Sequence, residues 1–256
     1  MEKNWPDDHF GTVVNTMRAL RETNSFRKML TLTEELHPDQ LSNGINYITD
    51  AFGTVQERPS DLETYYLRRS QALMYYKRPH DCLALCYEAL QRQNPFWNGN
   101  EMWIKWRLAR SLAAINRPLA AEKLLRHIVE VYEKDDNTFF TLDLASFLWE
   151  TDRCEESLHT LVRICMYKDM HGPKHDVAAL GQLTERLLEL RWLYTAQLHA
   201  ELYSMEAHLQ GLKPHKTLVQ QQLPRIWSDK HIIRRNKARV LRLLRPVWGE
   251  LLLAFG

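Results

Sequence analysis

The feature that most constrains the fold is a helical hairpin that occurs twice in succession between Trp103 and Cys165. In the first copy, apolar or small side chains recur at helical spacing: Leu108, Ala109, Leu112, Ala121, Leu125 and Ile128. The same pattern returns 36 residues later: Leu144, Ala145, Leu148, Ser157, Leu161 and Ile164. Because each helix presents a small residue where its neighbour packs, the pair is typical of one unit in a stacked helical array.

Two looser copies flank this pair. The first contains Ser70, Leu73, Cys82, Cys86 and Ala89, and the second contains Leu183, Thr184, Leu187, Ala196, Ala200 and Tyr203. At the small-residue position of each returning helix, the steps are 39, 36 and 39 residues: Cys82, Ala121, Ser157 and Ala196. With only 9 glycines and 10 prolines in 256 residues, the composition favours long helices joined by short turns. We find no sustained alternation of β-branched residues and therefore expect no sheet.

These patterns predict three regions. They are an N-terminal helical hairpin or capping region at 1–58, the repeats at 59–211, and a basic amphipathic helix with an apolar tail at 212–256. Within the first region we predict helices from Asp8 to Glu22, from Ser25 to about His37, and from about Asp39 to Ala51. Residues 53–59 are predicted to form a linker.

The hairpins resemble tetratricopeptide repeats, a family that places a Leu-small pair on its first helix and small, bulky and small residues on its second. They are longer than the family's repeat of about 34 residues, and Ala, Ser or Thr stands where the family has glycine. The resemblance implies an all-α fold, a right-handed superhelical array of antiparallel helix hairpins with a C-terminal capping helix. Other arrays of helical hairpins share these spacings.

In tetratricopeptide-like arrays the first helix of each pair lines a concave face where partners bind, so the resemblance implies a partner-binding set. Its members are Gln71, Tyr75, Trp103, Trp106, Arg110, Phe139, Ser146 and Trp149. Aromatic and arginine anchors suit the capture of a peptide or a helix. The alternative is that the tryptophans are core residues between long helices, because large aromatic side chains dominate cores as well.

The C-terminal segment carries positive charge. From residue 225 onward, eight Lys or Arg oppose Asp229 and Glu250, a balance of +6 in a chain whose net charge is +2. Its predicted basic surface comprises Arg234, Arg235, Lys237, Arg239, Arg242 and Arg245. We expect a helix from Ile226 to Arg245 that Pro246 ends or kinks. Its apolar stripe would cap the last hairpin, and its basic face is either a solvated helix face or a contact for an acidic protein, nucleic acid or anionic lipid.

We find no motif of nucleotide binding, nucleophilic catalysis or metal-dependent hydrolysis, and we expect neither an enzyme nor a cofactor. Cys82 and Cys86 are predicted to be packing residues rather than metal ligands. The polar N-terminus does not resemble a signal peptide, so we expect a reducing, cytoplasmic setting.

The predicted function is therefore a non-catalytic protein–protein interaction scaffold, adaptor or chaperone that binds a protein partner in its groove. A nucleic-acid-associated regulator that uses the basic helix, or an adaptor at a membrane surface, is the alternative.

Overall fold

The protein is built from helices that pair as antiparallel hairpins. The computed structural model describes residues 16–17, 19–20, 23, 25–49, 54–92, 96–132, 138–166, 173–190, 192–212 and 240–250. The helices are α1 Phe26–Glu34, α2 Asp61–Tyr75, α3 Pro79–Arg92, α4 Glu101–Ala114, α5 Pro118–Tyr132, α6 Phe139–Glu150, α7 Cys154–Met166, α8 Pro173–Glu189, α9 Leu193–Leu209 and α10 at 240–250. Short 3-10 turns occupy Pro38–Gln40 and Trp97–Gly99. The predicted all-α hairpin class is confirmed.

One short element departs from the prediction. Strands β1 (Asn46–Thr49) and β2 (Val55–Arg58) pair antiparallel, with Asn46 opposite Arg58 and Thr49 opposite Val55. The predicted third helix over residues 39–51, and the expectation of no sheet, are therefore wrong. The Asn43-Gly44 pair disfavours a helix there, and the tyrosine, isoleucine, threonine and valine that follow favour extended backbone.

The turns inside the central hairpins share one geometry. A residue with left-handed backbone ends the first helix at Lys77, Asn116 and Asp152, with φ values of 54°, 61° and 60°. The next amide then donates to the carbonyl five residues earlier at 2.9 Å, an arrangement made by Arg78, Arg117 and Arg153. This bond closes the helix end. The shared turn recurs at the same 39- and 36-residue steps as the repeat read from the sequence.

The small-residue positions lie at the contact between paired helices. All eight are completely buried: Ser70, Ala109, Ala145, Thr184, Cys82, Ala121, Ser157 and Ala196. In two hairpins a side chain of the second helix also donates a hydrogen bond to a backbone carbonyl of the first helix, twelve residues earlier in the sequence. Ser157 Oγ donates to the Ala145 carbonyl at 2.6 Å, and Cys82 Sγ donates to the Ser70 carbonyl at 3.6 Å. A small side chain is required where backbones approach this closely.

The chain divides into two compact units, with the boundary between Ile128 and Val129. We call the part before this boundary unit 1 and the part after it unit 2. The core of unit 1 centres on α2, α3 and α4, with Met17 and Leu41 added from the N-terminal region. The core of unit 2 centres on α6 to α9. The three sequence regions at 1–58, 59–211 and 212–256 remain predictions.

The described part of the predicted C-terminal cap, residues 240–250, packs on unit 2, and residues 226–239 of the predicted helix lie outside the described residues. Val240, Leu244 and Trp248 of α10 are buried in the core that α8 and α9 contribute to. Trp248 Nε1 donates to His199 Nε2 on α9 at 2.9 Å. The helix continues through Pro246 to residue 250, so of the two predicted effects of Pro246 the end of the helix is not observed. Proline removes one backbone bond, and the buried side chains on either side hold the helix in place.

Among the described helices, none combines the length and apolar character needed to cross a membrane.

Candidate functional site

A cavity of about 520 Å³ opens in unit 1 between α2 and α4. Helix α1 contributes one wall residue, and the turn before α4 contributes another. The lining residues are Phe26, Leu67, Arg68, Gln71, Met74, Tyr75, Asn100, Trp103, Trp106 and Arg107. The volume lies within the range of roughly 300–1,000 Å³ that is usual for binding clefts.

Helical spacing explains why these residues share one space. On α2, Leu67, Gln71 and Met74 follow one another at intervals of four and three residues. On α4, Trp103 is followed by Trp106 and Arg107 at three and four residues. Side chains three or four positions apart lie on the same helix face. The two faces turned toward the cavity are therefore determined by sequence spacing.

Aromatic rings form much of the wall. Trp103 and Trp106 contact edge to face, with centroids 6.0 Å apart and an interplanar angle of 87°. Phe26 of α1 packs on Tyr75 of α2 with centroids 4.6 Å apart. Tyr75 is nevertheless 63% exposed. An exposed ring beside half-buried rings offers apolar surface that a bound side chain can cover.

Amide and guanidinium groups supply the polar part of the lining. Arg68 Nη1 donates to Gln71 Oε1 at 3.4 Å along α2. Arg107 is only 7% exposed, and its Nη1 donates to Ser70 Oγ at 3.3 Å. A guanidinium group fixed in this way presents donors of defined direction to a ligand.

A buried carboxylate positions the turn that leads into α4. Glu63 Oε2 accepts from the Trp97 amide at 3.0 Å, and Oε1 accepts from Asn100 Nδ2 at 2.5 Å. The Glu63 amide in turn donates to Ser60 Oγ, the N-cap of α2. Burial raises the pKa of Glu63, and the two bonds from Trp97 and Asn100 oppose that effect. Glu63 thereby orients Asn100 as part of the cavity wall.

A second cavity of about 330 Å³ adjoins the first, because Met74 lines both. Its other lining residues are Lys77, Arg78, Pro79, Arg110, Ser111 and Ala114. Arg78 forms ion pairs with Asp81 at 2.6 Å and Glu34 at 3.5 Å. Two adjoining cavities provide space for two neighbouring side chains of a single bound segment.

Half of the predicted partner-binding set lies at the larger cavity. Gln71, Tyr75, Trp103 and Trp106 all line it, and Arg110 lines the smaller one. The remaining three residues, Phe139, Ser146 and Trp149, belong to unit 2. Whether any of the eight contacts a partner remains a prediction.

The three residues of unit 2 contact other groups of that unit. Trp149 Nε1 donates to Glu189 Oε2 at 2.8 Å, and the Arg186 guanidinium lies 4.9 Å from the Trp149 ring centroid. Ser146 Oγ donates to Gln182 Oε1 at 3.5 Å. Phe139 packs on Phe140 with centroids 5.3 Å apart and is 36% exposed.

The predicted basic surface is described only in part. Arg242 and Arg245 are exposed on α10. Four other members, Arg234, Arg235, Lys237 and Arg239, lie outside the described residues. Trp248, on the same helix, is buried against His199.

Six lining residues of the larger cavity lie outside the predicted partner-binding set: Phe26, Leu67, Arg68, Met74, Asn100 and Arg107. Leu67 and Arg68 lie one helical turn before Gln71, and Arg107 lies one turn after Trp103, so helical spacing alone could have identified these three. Phe26 and Asn100 depend on how α1 and the Glu63-bound turn pack, for which the sequence carries no local signal.

The fold has counterparts among solved structures. The crystal structure of Bacillus thuringiensis PlcR in complex with the peptide PapR7 and DNA matches with a TM-score of 0.54 and 13% identity, covering 82% of this chain and 73% of that one. A Podosopora anserina putative kinesin light chain with nearly identical TPR-like repeats gives a TM-score of 0.45 and 13% identity, with 73% and 90% coverage. No protein-family model matches the chain, and no curated protein matches it significantly.

Proposed function

We propose that this protein is a non-catalytic interaction scaffold that binds a peptide or helical segment of a protein partner at the unit 1 cavities. The observation that carries the proposal is the wall of tryptophan, tyrosine and arginine side chains around about 520 Å³ of space between α2 and α4. Residues of these types dominate binding energy in protein interfaces.

The chemistry of the wall supports binding rather than catalysis. Among the described residues that line the larger cavity, there is no histidine, cysteine or carboxylate. Proton transfer would require a titratable acid or base within hydrogen-bond reach of the substrate. Gln71 and Asn100 instead offer amide donors and acceptors that can fix the direction of a peptide backbone.

The adjoining cavities suggest how a segment would be held. One side chain would fill the larger cavity against Trp103 and Trp106, and a second would enter the smaller one beyond Met74. Anchors three or four residues apart on a helix meet such paired pockets. PlcR, whose fold is similar, is described in complex with a peptide, and this likeness favours a peptide ligand here as well.

Peptide selection on the full-length protein tests the proposal. A phage-displayed random peptide library would be panned on the wild type, and enriched peptides would be measured by fluorescence polarisation. Tyr75→Ala should weaken binding by about tenfold, because alanine removes an aromatic contact worth on the order of 1–2 kcal/mol. Tyr87→Ala is the matched control, since Tyr87 is 48% exposed on α3 and lies outside the lining.

Equal loss of affinity in both variants would contradict the proposal, and so would the absence of any enriched peptide. Arg110→Glu should also weaken a peptide that enters the smaller cavity. Circular dichroism of each variant would separate a lost contact from a lost fold.

A second candidate function is nucleic-acid binding through the basic surface. It is favoured by Arg242 and Arg245, which are exposed on the outer side of α10 while the opposite side packs into unit 2. Anisotropy of a labelled DNA duplex across a salt series tests it. Arg242→Gln and Arg245→Gln should each lower the salt slope by about 0.9 per lost phosphate contact. Lys123→Gln, an exposed cation on α5, is the control.

A further inference from the structure

A pair of buried thiols lies inside the first hairpin of unit 1, beside the cavities but separate from their walls. Cys82 and Cys86 are both completely buried on α3, and their sulfurs are 4.0 Å apart. Their spacing of four residues places them one turn apart on the same helix face. Other hairpins have alanine at the equivalent positions, so the need for a small side chain can account for either cysteine alone. That need does not account for two sulfur atoms that face each other.

The geometry of this cysteine pair does not suit a disulfide. On a regular helix, Cβ atoms four residues apart are about 5–6 Å from each other. A disulfide requires Cβ atoms about 3.5–4.5 Å apart, so the helix would have to deform. A metal ion imposes no such requirement. With metal–sulfur bonds of about 2.3 Å, one ion can bridge sulfurs that are up to about 4.6 Å apart.

A positive charge lies close to the two sulfurs. The Cys82 thiol donates to the Ser70 carbonyl at 3.6 Å, and the Ser70 hydroxyl accepts from the Arg107 guanidinium at 3.3 Å. Two thiolates buried here without a cation would be costly. A cation that replaces the two thiol protons beside Arg107 would offset that cost.

We propose that Cys82 and Cys86 form a two-thiolate site for a soft monovalent cation, Cu(I), beside Arg107. Soft thiolate ligands favour Cu(I), zinc and iron–sulfur clusters among the biological metals. Copper would replace both thiol protons, forming two Cu–S bonds while the two protons leave to solvent, with no change in oxidation state. Two thiolates, Cu(I) and the guanidinium sum to zero charge, whereas a divalent ion would leave a buried excess charge that is costly.

The surroundings agree with a two-coordinate ion. Within the described part of the chain, no cluster of three or more histidine, cysteine or acidic residues is placed to hold a metal. A tetrahedral zinc site would need further ligands of that kind.

Anaerobic Cu(I) titration of the full-length protein against bicinchoninate tests the site. The wild type should withdraw one equivalent of Cu(I), and its apparent melting temperature should rise with the ion. Cys82→Ala and Cys86→Ala should abolish both effects. These variants should fold, because Ala121 and Ala200 occupy the same positions in other hairpins. Cys154→Ala and Cys165→Ala are the controls and should bind as the wild type does.

The absence of withdrawal by the wild type would overturn the proposal. Binding that persists in Cys82→Ala or Cys86→Ala, or that is lost in the controls instead, would do the same. Zn(II) should produce no stable 1:1 complex, and equal binding of Zn(II) would overturn the monovalent assignment. X-ray absorption of the copper-loaded wild type should show two sulfur neighbours, which keeps the test decisive even where a variant fails to fold.

Discussion

Unit 1 and unit 2 are built from the same kind of hairpin. They differ in what lies between the first helix of one hairpin and the first helix of the next. In unit 1, the facing residues of α2 and α4 border a cavity of about 520 Å³. In unit 2, α6 and α8 are joined by the Trp149–Glu189 hydrogen bond and the Arg186–Trp149 contact. The buried positions that build a hairpin are alike in both units. The exposed positions between hairpins differ between the two units. In unit 1 their side chains line a cavity, and in unit 2 they connect the two helices.

The ends of the two units also differ. In the N-terminal part of unit 1, Phe26 and Met29 of α1 form a small core with Ala72 of α2. Unit 2 ends in α10, which inserts Val240, Leu244 and Trp248 into the main core. A stacked array leaves an apolar face at each end that has to be covered. Within the described residues, α10 places three buried side chains in the main core of unit 2, whereas α1 packs only partly buried side chains against the main core of unit 1.

The strongest test of this difference is Trp248→Ala. We expect it to lower the free energy of unfolding by about 3–5 kcal/mol, the usual cost of truncating a buried tryptophan. Leu243→Ala on the same helix, where Leu243 is 43% exposed, should cost little. Hydrogen exchange should show lost protection in α9 and unchanged protection in α2 and α3. Equal loss in both units would contradict the distinction.

Low pH should destabilise unit 2, because it favours protonation of the buried His199. Burial lowers the pKa of this histidine to about 4, from an ordinary value of 6.5. Both ring nitrogens are bonded in the neutral form, because Nδ1 donates to the Thr195 carbonyl and Nε2 accepts from Trp248. Between pH 6.5 and 4 the unfolded chain therefore binds more protons, and stability falls as the pH falls through this window.

Over this pH window, protonation of His199 should lower the free energy of unfolding by about 3 kcal/mol. His199→Gln keeps a donor and an acceptor without titrating near neutral pH, so it should remove most of this dependence. Denaturant unfolding of wild type and variant at pH 7, 5 and 4 measures it. Parallel curves for the two proteins would show that His199 does not cause the acid sensitivity.

The shared hairpin positions should respond alike in both units. Ala121→Leu in unit 1 and Ala196→Leu in unit 2 should each destabilise by about 1–3 kcal/mol, because both residues are completely buried at a close helix contact. Ala120→Leu and Ala178→Leu, at exposed positions, are the matched controls. An unchanged melting temperature for Ala121→Leu would mean that the assigned repeat register is wrong.

The smallest expected effect concerns the bridge in unit 2. Trp149→Phe removes the indole donor to Glu189 while keeping an aromatic ring near Arg186. We expect a loss of no more than about 1 kcal/mol for this partly exposed hydrogen bond. Peptides selected on the unit 1 cavities should bind Trp149→Phe as they bind the wild type. A large affinity loss would place Trp149 in the binding site, as the sequence resemblance implies.

The hairpins and their register could be predicted from the sequence because both depend on local spacing. Small residues such as Ala109 and Ala121 appear wherever two helices meet, and the turn residues between them recur at the same distances. Part of the cavity wall was implied by the family resemblance, since Gln71, Trp103 and Trp106 belong to the predicted partner-binding set and line the cavity. The β-hairpin was missed because four-residue strands give too weak a pattern and depend on each other for their hydrogen bonds.

The tertiary structure alone decided which exposed residues meet across helices. The sequence treats Trp106 and Trp149 as similar groove residues, yet one lines a cavity and the other bonds to Glu189. That outcome depends on which partners the neighbouring helix presents, thirty or more residues away. In the same way, the sequence predicts a basic amphipathic helix near the C-terminus. The hydrogen bond between Trp248 and His199 forms only because this helix packs against α9. Backbone spacing is a local property of the chain, whereas the pairing of side chains between elements is set only when the elements pack.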